Sequence, residues 1–304
     1  MQKSFSDLGI NKQLEQDLAS LKISIPTDIQ EQTIPVLLNK KEDMVVLAKT
    51  GTGKTAAFGL PLLQLIDLEN INVQSLILAP TRELAQQIYT NLVSFAGSSS
   101  KIAITSLCGG IPIKPQIEQL KATTHIAVAT PGRLVDLIKR EAIALNKIKY
   151  VVLDEADEMV SSLKKDLDFI IEDLPKSRRT LLFTATMPGT IKQLVQNYMS
   201  KHVIYIEADM ENIGHQGIDH QYVVVEPIEK LEVLLHFLST KEGERGVIFC
   251  KTKAAVNKLA KKLAINKFSS GAIHGSLAQT IRDRIMGQFR EGYIDILVAT
   301  DLAA

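Results

Sequence analysis

The chain contains no tryptophan, only two cysteines and almost no excess charge: 35 Lys and Arg stand against 34 Asp and Glu. A net charge of +1 gives no whole-molecule field able to hold an anionic polymer, which argues against a general nucleic-acid coat protein. Nucleic-acid binding would have to come from a local face. Cys108 and Cys250 lie far apart, each beside an apolar run, so neither a disulfide framework nor a cysteine metal site is expected. They read as buried thiols in a reducing cytoplasm. No apolar run approaches the roughly 20 residues of a membrane helix. The mixed polar and apolar start, Met1 to Leu21, has no continuous apolar core and is not a signal peptide. A soluble, cytoplasmic protein is expected.

What is present suits a packed α/β protein. Hydrophobic residues make up 45% of the chain, enough for proper cores, and 304 residues exceed one ordinary domain of roughly 100 to 150. Short β-branched runs recur between longer helical patterns: Asp43 to Ala48, Ser75 to Pro80, Ile102 to Leu107, His125 to Ala129, Tyr150 to Leu153, Arg179 to Phe183 and His202 to Ile206. Each is apolar almost throughout, as strands covered on both faces are, which predicts a mainly parallel sheet with right-handed crossovers. A second series runs through Tyr222 to Val225, Val247 to Cys250, Gly271 to His274 and Asp295 to Val298. Between the two series the periodicity lapses. The expected organisation is a first domain at 1–207, a linker at 208–217 and a second domain at 218–304.

Two segments carry chemistry. Ala48-Lys49-Thr50-Gly51-Thr52-Gly53-Lys54-Thr55 follows an apolar strand and opens into the helical pattern Ala56 to Leu68, the setting of a phosphate loop. Small residues let successive backbone N–H groups point at phosphate oxygens, and the following helix adds the positive end of its dipole. Lys54 is placed to neutralise the β and γ phosphates and Thr55 to set its hydroxyl on Mg²⁺. The strict pattern has Gly where Ala48 stands. Asp154-Glu155-Ala156-Asp157 follows the run Tyr150 to Leu153. These carboxylates would repel without a cation, whereas a carboxylate at the carboxyl end of a parallel strand is well placed to hold Mg²⁺. Asp154 would orient the hydrated metal, and Glu155 would polarise the attacking water.

These residues resemble the DEAD-box family of ATP-dependent RNA helicases: the sequence spells that tetrapeptide, and further family motifs follow in order. The resemblance implies two tandem RecA-like domains, ATP and Mg²⁺ at the phosphate loop, and an RNA backbone as partner. Pro26-Thr27-Asp28-Ile29-Gln30 resembles the glutamine motif, with Phe5 at the position of an adenine-stacking aromatic. A Gln amide offers a donor and an acceptor to the N6 and N7 edge of adenine. Lys22 and Ile23 replace the family's glycine and aromatic residue. The implied nucleotide set is Phe5, Thr27, Gln30, Thr50, Gly51, Thr52, Gly53, Lys54, Thr55 and Asp301. Pro80-Thr81-Arg82-Glu83-Leu84-Ala85, Gly109-Gly110 and Thr130-Pro131-Gly132-Arg133 resemble the three RNA-contacting motifs of the first domain. Pro80, Thr81, Arg82, Gly110, Thr130 and Arg133 would meet sugar and phosphate, with no side-chain code for bases.

Thr184-Ala185-Thr186 resembles the motif that couples the acidic site to domain closure, with Thr in place of the usual Ser, so Thr186 joins Lys54, Asp154 and Glu155 as catalytic candidates. In the second domain Thr252, Arg282 and Thr300 match RNA-backbone positions. Family members continue with an Arg-Gly-x-Asp stretch and an arginine finger, neither present before Ala304. An incomplete second domain and weak hydrolysis by this chain are therefore expected, such a finger being worth roughly 10³ to 10⁵ in turnover. Two alternatives to an RNA-unwinding enzyme are an ATP-dependent RNA clamp or scaffold and a DNA-translocating helicase. Backbone-directed binding names neither the RNA nor a protein partner.

Overall fold

The computed structural model describes residues 3–98, 100–207, 219–241 and 243–300. The expected linker at 208–217 and Asp301 lie outside the described residues. The chain divides into two compact units, Met1–Ile218 and Asp219–Ala304.

In the first unit β1 (Asp43–Leu47), β2 (Ser75–Leu78), β3 (Ile104–Leu107), β4 (Ile126–Ala129), β5 (Tyr150–Leu153), β6 (Arg179–Thr184) and β7 (Val203–Glu207) form one seven-stranded sheet. Its order is β3-β4-β2-β5-β6-β1-β7, and every described pairing is parallel. Two helices, α1 (Lys12–Ser20) and α2 (Asp28–Asn39), precede β1; parallel neighbours need crossovers, and α3 (Lys54–Leu65), α4 (Arg82–Ala96), α5 (Ile113–Leu120), α6 (Pro131–Lys139), α7 (Ala156–Ser162), α8 (Lys164–Asp173) and α9 (Gly189–Tyr198) supply them.

The period-2 geometry of a strand sends alternate side chains to opposite faces, and two separate cores result. Met44, Val46, Ile77, Val152, Leu181 and Phe183 pack on one side with residues of α1 to α4. Val45, Leu76, Leu78, Val151, Leu153 and Leu182 pack on the other with α6 to α9. Central strands buried on both faces read as unbroken apolar runs for this reason, while β3 and β7 at the edges are only partly covered. Gly59 lets α3 lie close on α4, since a Cβ there would stand 2.6 Å from Leu92.

The second unit holds a smaller parallel sheet, β8 (Gly246–Phe249), β9 (Ser270–Ile273) and β10 (Ile296–Ala299), in the order β8-β10-β9. Helices Lys230–Ser239, Lys253–Ile265 and Gln279–Arg290 accompany it. The expected strand Tyr222 to Val225 does not form: those residues have no regular structure, and Tyr222 and Val224 are almost fully exposed. A strand exists only as one side of a ladder, and among the described residues β8 pairs with β10 alone. Alternation marks a segment fit for pairing without supplying the neighbour.

Candidate nucleotide and RNA-facing site

The sheet order explains why distant motifs meet. β5, β6 and β1 are consecutive neighbours, so their carboxyl ends deliver Asp154 and Glu155, then Thr184 to Thr186, then the phosphate loop to one edge. The Ala48 N–H donates to the Thr184 carbonyl at 3.0 Å, tying the loop's start to the coupling motif. Lys54 Nζ lies 2.7 Å from Glu155 Oε1 and 3.7 Å from Asp154 Oδ1, with all three side chains largely buried. Burial pushes the Asp154 carboxyl up to about 6, a rise that Lys54 opposes and Glu155 reinforces. Glu155 itself sits in the left-handed region at φ 50°, a conformation that costs a non-glycine residue roughly 1–2 kcal/mol, and it caps α7 from there. Thr186 Oγ1 donates to Asp157 Oδ2 at 2.6 Å and Thr184 Oγ1 to the Thr186 carbonyl at 2.8 Å.

The phosphate loop turns through Gly51 and Gly53, both at positive φ, and α3 begins at Lys54, two residues earlier than the pattern Ala56 to Leu68 suggests. Lys49, Thr50 and Gly51 are exposed, Gly53 and Thr55 partly so, and Thr52 is buried with its hydroxyl donating to the Lys49 carbonyl. The glutamine motif clasps this loop from α2. Thr27 Oγ1 donates to the Thr52 carbonyl at 2.8 Å and Gln30 Nε2 to the Gly53 carbonyl at 3.1 Å, while Gln30 Oε1 accepts the Thr27 N–H at 3.0 Å. A Cβ at Gly53 would fall on the Gln30 amide.

The two residues expected at adenine have contacts of their own within the protein. Gln30 is buried and already gives its carbonyl to Thr27 and one N–H to Gly53, so its first duty is to shape the loop. Phe5 is wholly buried with Leu8 and Ile10 in the core, which leaves no ring face to stack on a base. Its short turn at Ser6–Leu8 directs three apolar side chains inward together.

No cluster of three or more metal-ligating side chains exists among the described residues. Mg²⁺ does not require one: it favours one or two carboxylates, waters and substrate phosphates over an all-protein cage. Buried Asp154 with the Thr55 hydroxyl at the start of α3 fits that donor set, and a cation beside Asp154 would favour its ionised form.

On the same carboxyl edge, β3, β4 and β2 form the other half of the sheet and carry the three remaining first-unit motifs. Pro80 and Thr81 follow β2, and the Thr81 hydroxyl accepts the Leu84 N–H to cap α4, which Arg82 opens. Gly109 N–H donates to Thr130 Oγ1 at 3.4 Å, and Gly110, at φ 80°, leaves room for Arg82, whose Nη1 would stand 2.7 Å from a Cβ there. Arg133, expected as a phosphate partner, is engaged within the protein. Its guanidinium donates to Gln116 Oε1 at 2.6 Å and to the Ile111 carbonyl at 2.8 Å, holding the loop after β3 in place. Gln116, buried and donating to the Cys108 carbonyl, completes this brace; nothing in the sequence marks it beyond an interruption of α5's apolar face. In the second unit Thr252 follows β8 and caps the helix Lys253–Ile265 by accepting the Ala255 N–H. Thr300 follows β10 and is buried, and Arg282 donates to Gln279 within its own helix.

Comparison with known proteins agrees with this arrangement. Residues 27–194 match the profile of the DEAD/DEAH box helicases, and residues 229–304 that of the helicase conserved C-terminal domain. The chain belongs to the DEAD/DEAH box helicase family. It is 40% identical over 301 residues to the DEAD-box ATP-dependent RNA helicase CshA of Streptococcus pneumoniae, covering 99% of this chain and 57% of that protein. This family member thus spans little more than half the length of the curated relatives it matches. Among solved structures, a DEAD box protein of Methanococcus jannaschii is 38% identical, with a TM-score of 0.66, covering 99% of this chain and 81% of that one. S. cerevisiae Dbp5 bound to RNA and ADP BeF3 is 31% identical, with a TM-score of 0.88, covering 98% of this chain and 76% of that one. The tandem parallel α/β architecture expected of a DEAD-box chain is the one observed.

Proposed function

We propose that the protein is a cytoplasmic, ATP-dependent RNA helicase that binds RNA through its backbone and couples ATP hydrolysis to local unwinding or RNA–protein remodelling. The observation that carries this is the contact of Lys54 with Glu155 and Asp154 at the joined ends of β5 and β1's loop, beside the β2, β3 and β4 loops on the same edge. Lys54, held by two carboxylates in this state, is released to the incoming β and γ phosphates. Glu155 then loses its cation and is free to accept a proton from water. Asp154 and Thr55 would hold Mg²⁺, which supplies charge neutralisation on the transferred phosphate. Thr186, bonded to Asp157, connects the acidic segment to β6 and thereby to the phosphate loop through the Thr184–Ala48 bond.

The two cysteines are unbridged, and no described helix is long and apolar enough to cross a membrane. The test is binding of fluorescent ATP together with ATP hydrolysis in the presence of RNA or of DNA of the same base sequence. RNA, which alone offers 2′-hydroxyls, should accelerate hydrolysis, and Lys54→Ala should abolish nucleotide binding. Stimulation by DNA alone, or nucleotide binding indifferent to Lys54→Ala, would overturn the assignment.

A further inference from the structure

The chain's near-zero net charge conceals a strong separation of charge along it. From Arg245 to Arg290 there are ten basic residues and one acidic residue, Asp283; this stretch carries +9, leaving −8 for the rest of a chain of net charge +1. Its densest part is the helix Lys253–Ile265 with its flanks, where Lys251, Lys253, Lys258, Lys261, Lys262 and Lys267 occur with no acidic residue among them. All but the half-buried Lys262 are exposed. None of these ammonium groups is ion-paired among the described residues, although surface lysines elsewhere in the chain, such as Lys121 and Lys164, do find carboxylates.

The packing of this helix fixes which way the charge points. Val256 and Leu263 are fully buried, and Leu259 and Ala260 pack with them against Ile296 and Val298 of β10. Lys258 and Lys261, spaced as one helical face, therefore lie opposite the sheet, with Lys262 beside them. A helix of 13 residues is about 20 Å long, enough to run along several consecutive phosphates. The face carries no aromatic side chain on which a base could stack, so it suits a backbone rather than unstacked bases. Membrane docking fits less well, because the helix's apolar side is already spent on the sheet and Ile265 is its one exposed large apolar residue.

We propose that the lysine face of the helix Lys253–Ile265 is a sequence-blind docking surface for the phosphate backbone of RNA. The proposal rests on the reading of the protein as an RNA helicase. The surface adds to the motif positions by extending outward from Thr252 along residues that belong to no motif. It acts without nucleotide, since its charge is fixed and displayed by the second unit alone. It also makes RNA binding strongly salt-dependent in a protein whose net charge predicts little such dependence.

The experiment measures the affinity for a fluorescent single strand and a hairpin RNA between 50 and 200 mM salt, without nucleotide, for the wild-type chain and the triple variant Lys258→Gln, Lys261→Gln, Lys262→Gln. Removing three phosphate contacts should flatten the slope of log affinity against log salt by about 2 for the single strand and about 3 for the hairpin. The corresponding triple Lys→Arg variant should restore it. Hydrogen-exchange protection of β8, β9 and β10 should not change and reports that the second unit of the variant is folded, while unchanged affinity for labelled ATP reports the same of the first unit. Equal slopes for wild type and the Gln variant, with RNA bound by both, would overturn the proposal and leave the helicase reading standing. Failure of the wild type to bind RNA with or without nucleotide would remove that reading and the proposal with it. Lysine-dependent binding to anionic phospholipid vesicles in the absence of RNA binding would assign the face to membranes instead.

Discussion

At Asp154 the protein keeps a carboxylate where solvation alone would not. The side chain is buried, and its pKa rises from 3.8 to about 6, chiefly through desolvation, despite Lys54 at 3.7 Å. A folded-state pKa above the unfolded value means that the native state binds more protons between those two pH values. Stability from this group therefore falls as pH rises from about 4 to 6, and the full penalty, roughly 2–3 kcal/mol, is present at pH 7. Asp154→Asn should accordingly stabilise the unliganded protein near pH 7.5, the gain closing as pH falls through 6 and vanishing below 4, as read by urea unfolding. A variant no more stable than wild type at pH 7.5 would contradict the assigned burial cost. Its neighbour behaves differently. Glu155→Gln removes the charge facing Lys54 and the candidate base, but leaves Asp154 and the phosphate loop in place. ATP affinity should stay within a few-fold while single-turnover hydrolysis drops by about 10² to 10⁴. Turnover at the wild-type rate would exclude Glu155 as the base. Neither the Lys54–Glu155 contact nor the brace of Arg133 on Gln116 was legible in the sequence, because each joins side chains on different strands or helices that only the sheet order brings together. The burial of Phe5 was not legible for a related reason: an aromatic at a motif position says nothing about which way its turn faces.

Elements were far more legible than contacts. Each of the seven apolar runs of the first unit coincides with a strand to within two residues at either end, and the central ones are the most uniformly apolar because a strand covered on both faces must be so throughout. The run Tyr222 to Val225 met the same sequence criterion yet forms no regular structure and pairs with no strand among the described residues, because pairing is a property of two segments and the pattern describes one. The phosphate loop shows what an element demands of single positions. Gly51 and Gly53 both adopt positive φ, but a Cβ at Gly51 would meet open space whereas one at Gly53 would strike the Gln30 amide. Gly51→Ala should therefore cost only the conformational strain, about 1–2 kcal/mol. Gly53→Ala should cost distinctly more and also loosen the Gln30–Gly53 and Thr27–Thr52 bonds, weakening ATP binding. Thermal unfolding and ATP titration of both variants decide this, and equal losses for the two would show that the clasp of α2 on the loop contributes nothing.

Across the whole molecule, the two units differ in how much apolar surface each removes from water. In the first, 30 and 25 buried residues among those described form the cores on the two faces of a sheet whose central strands have almost no exposed side chains. In the second, the corresponding cores hold four and three buried residues among those described, and Val247 and Phe249 of β8 stand 45% and 55% exposed on one face. Since burial of apolar area stabilises at roughly 25 cal/mol per Å², the second unit must be the less stable of the two. Denaturation of the chain should therefore proceed in two steps. Amide hydrogens of β8, β9 and β10 should exchange through openings at least about 2 kcal/mol less costly than those protecting β1, β5 and β6. Saturating ATP should raise the second transition and leave the first where it was, because the phosphate loop belongs wholly to the first unit. Hydrogen exchange followed by mass spectrometry across a urea series measures both. A single cooperative transition, with β8 to β10 as protected as β1, would contradict this difference in stability.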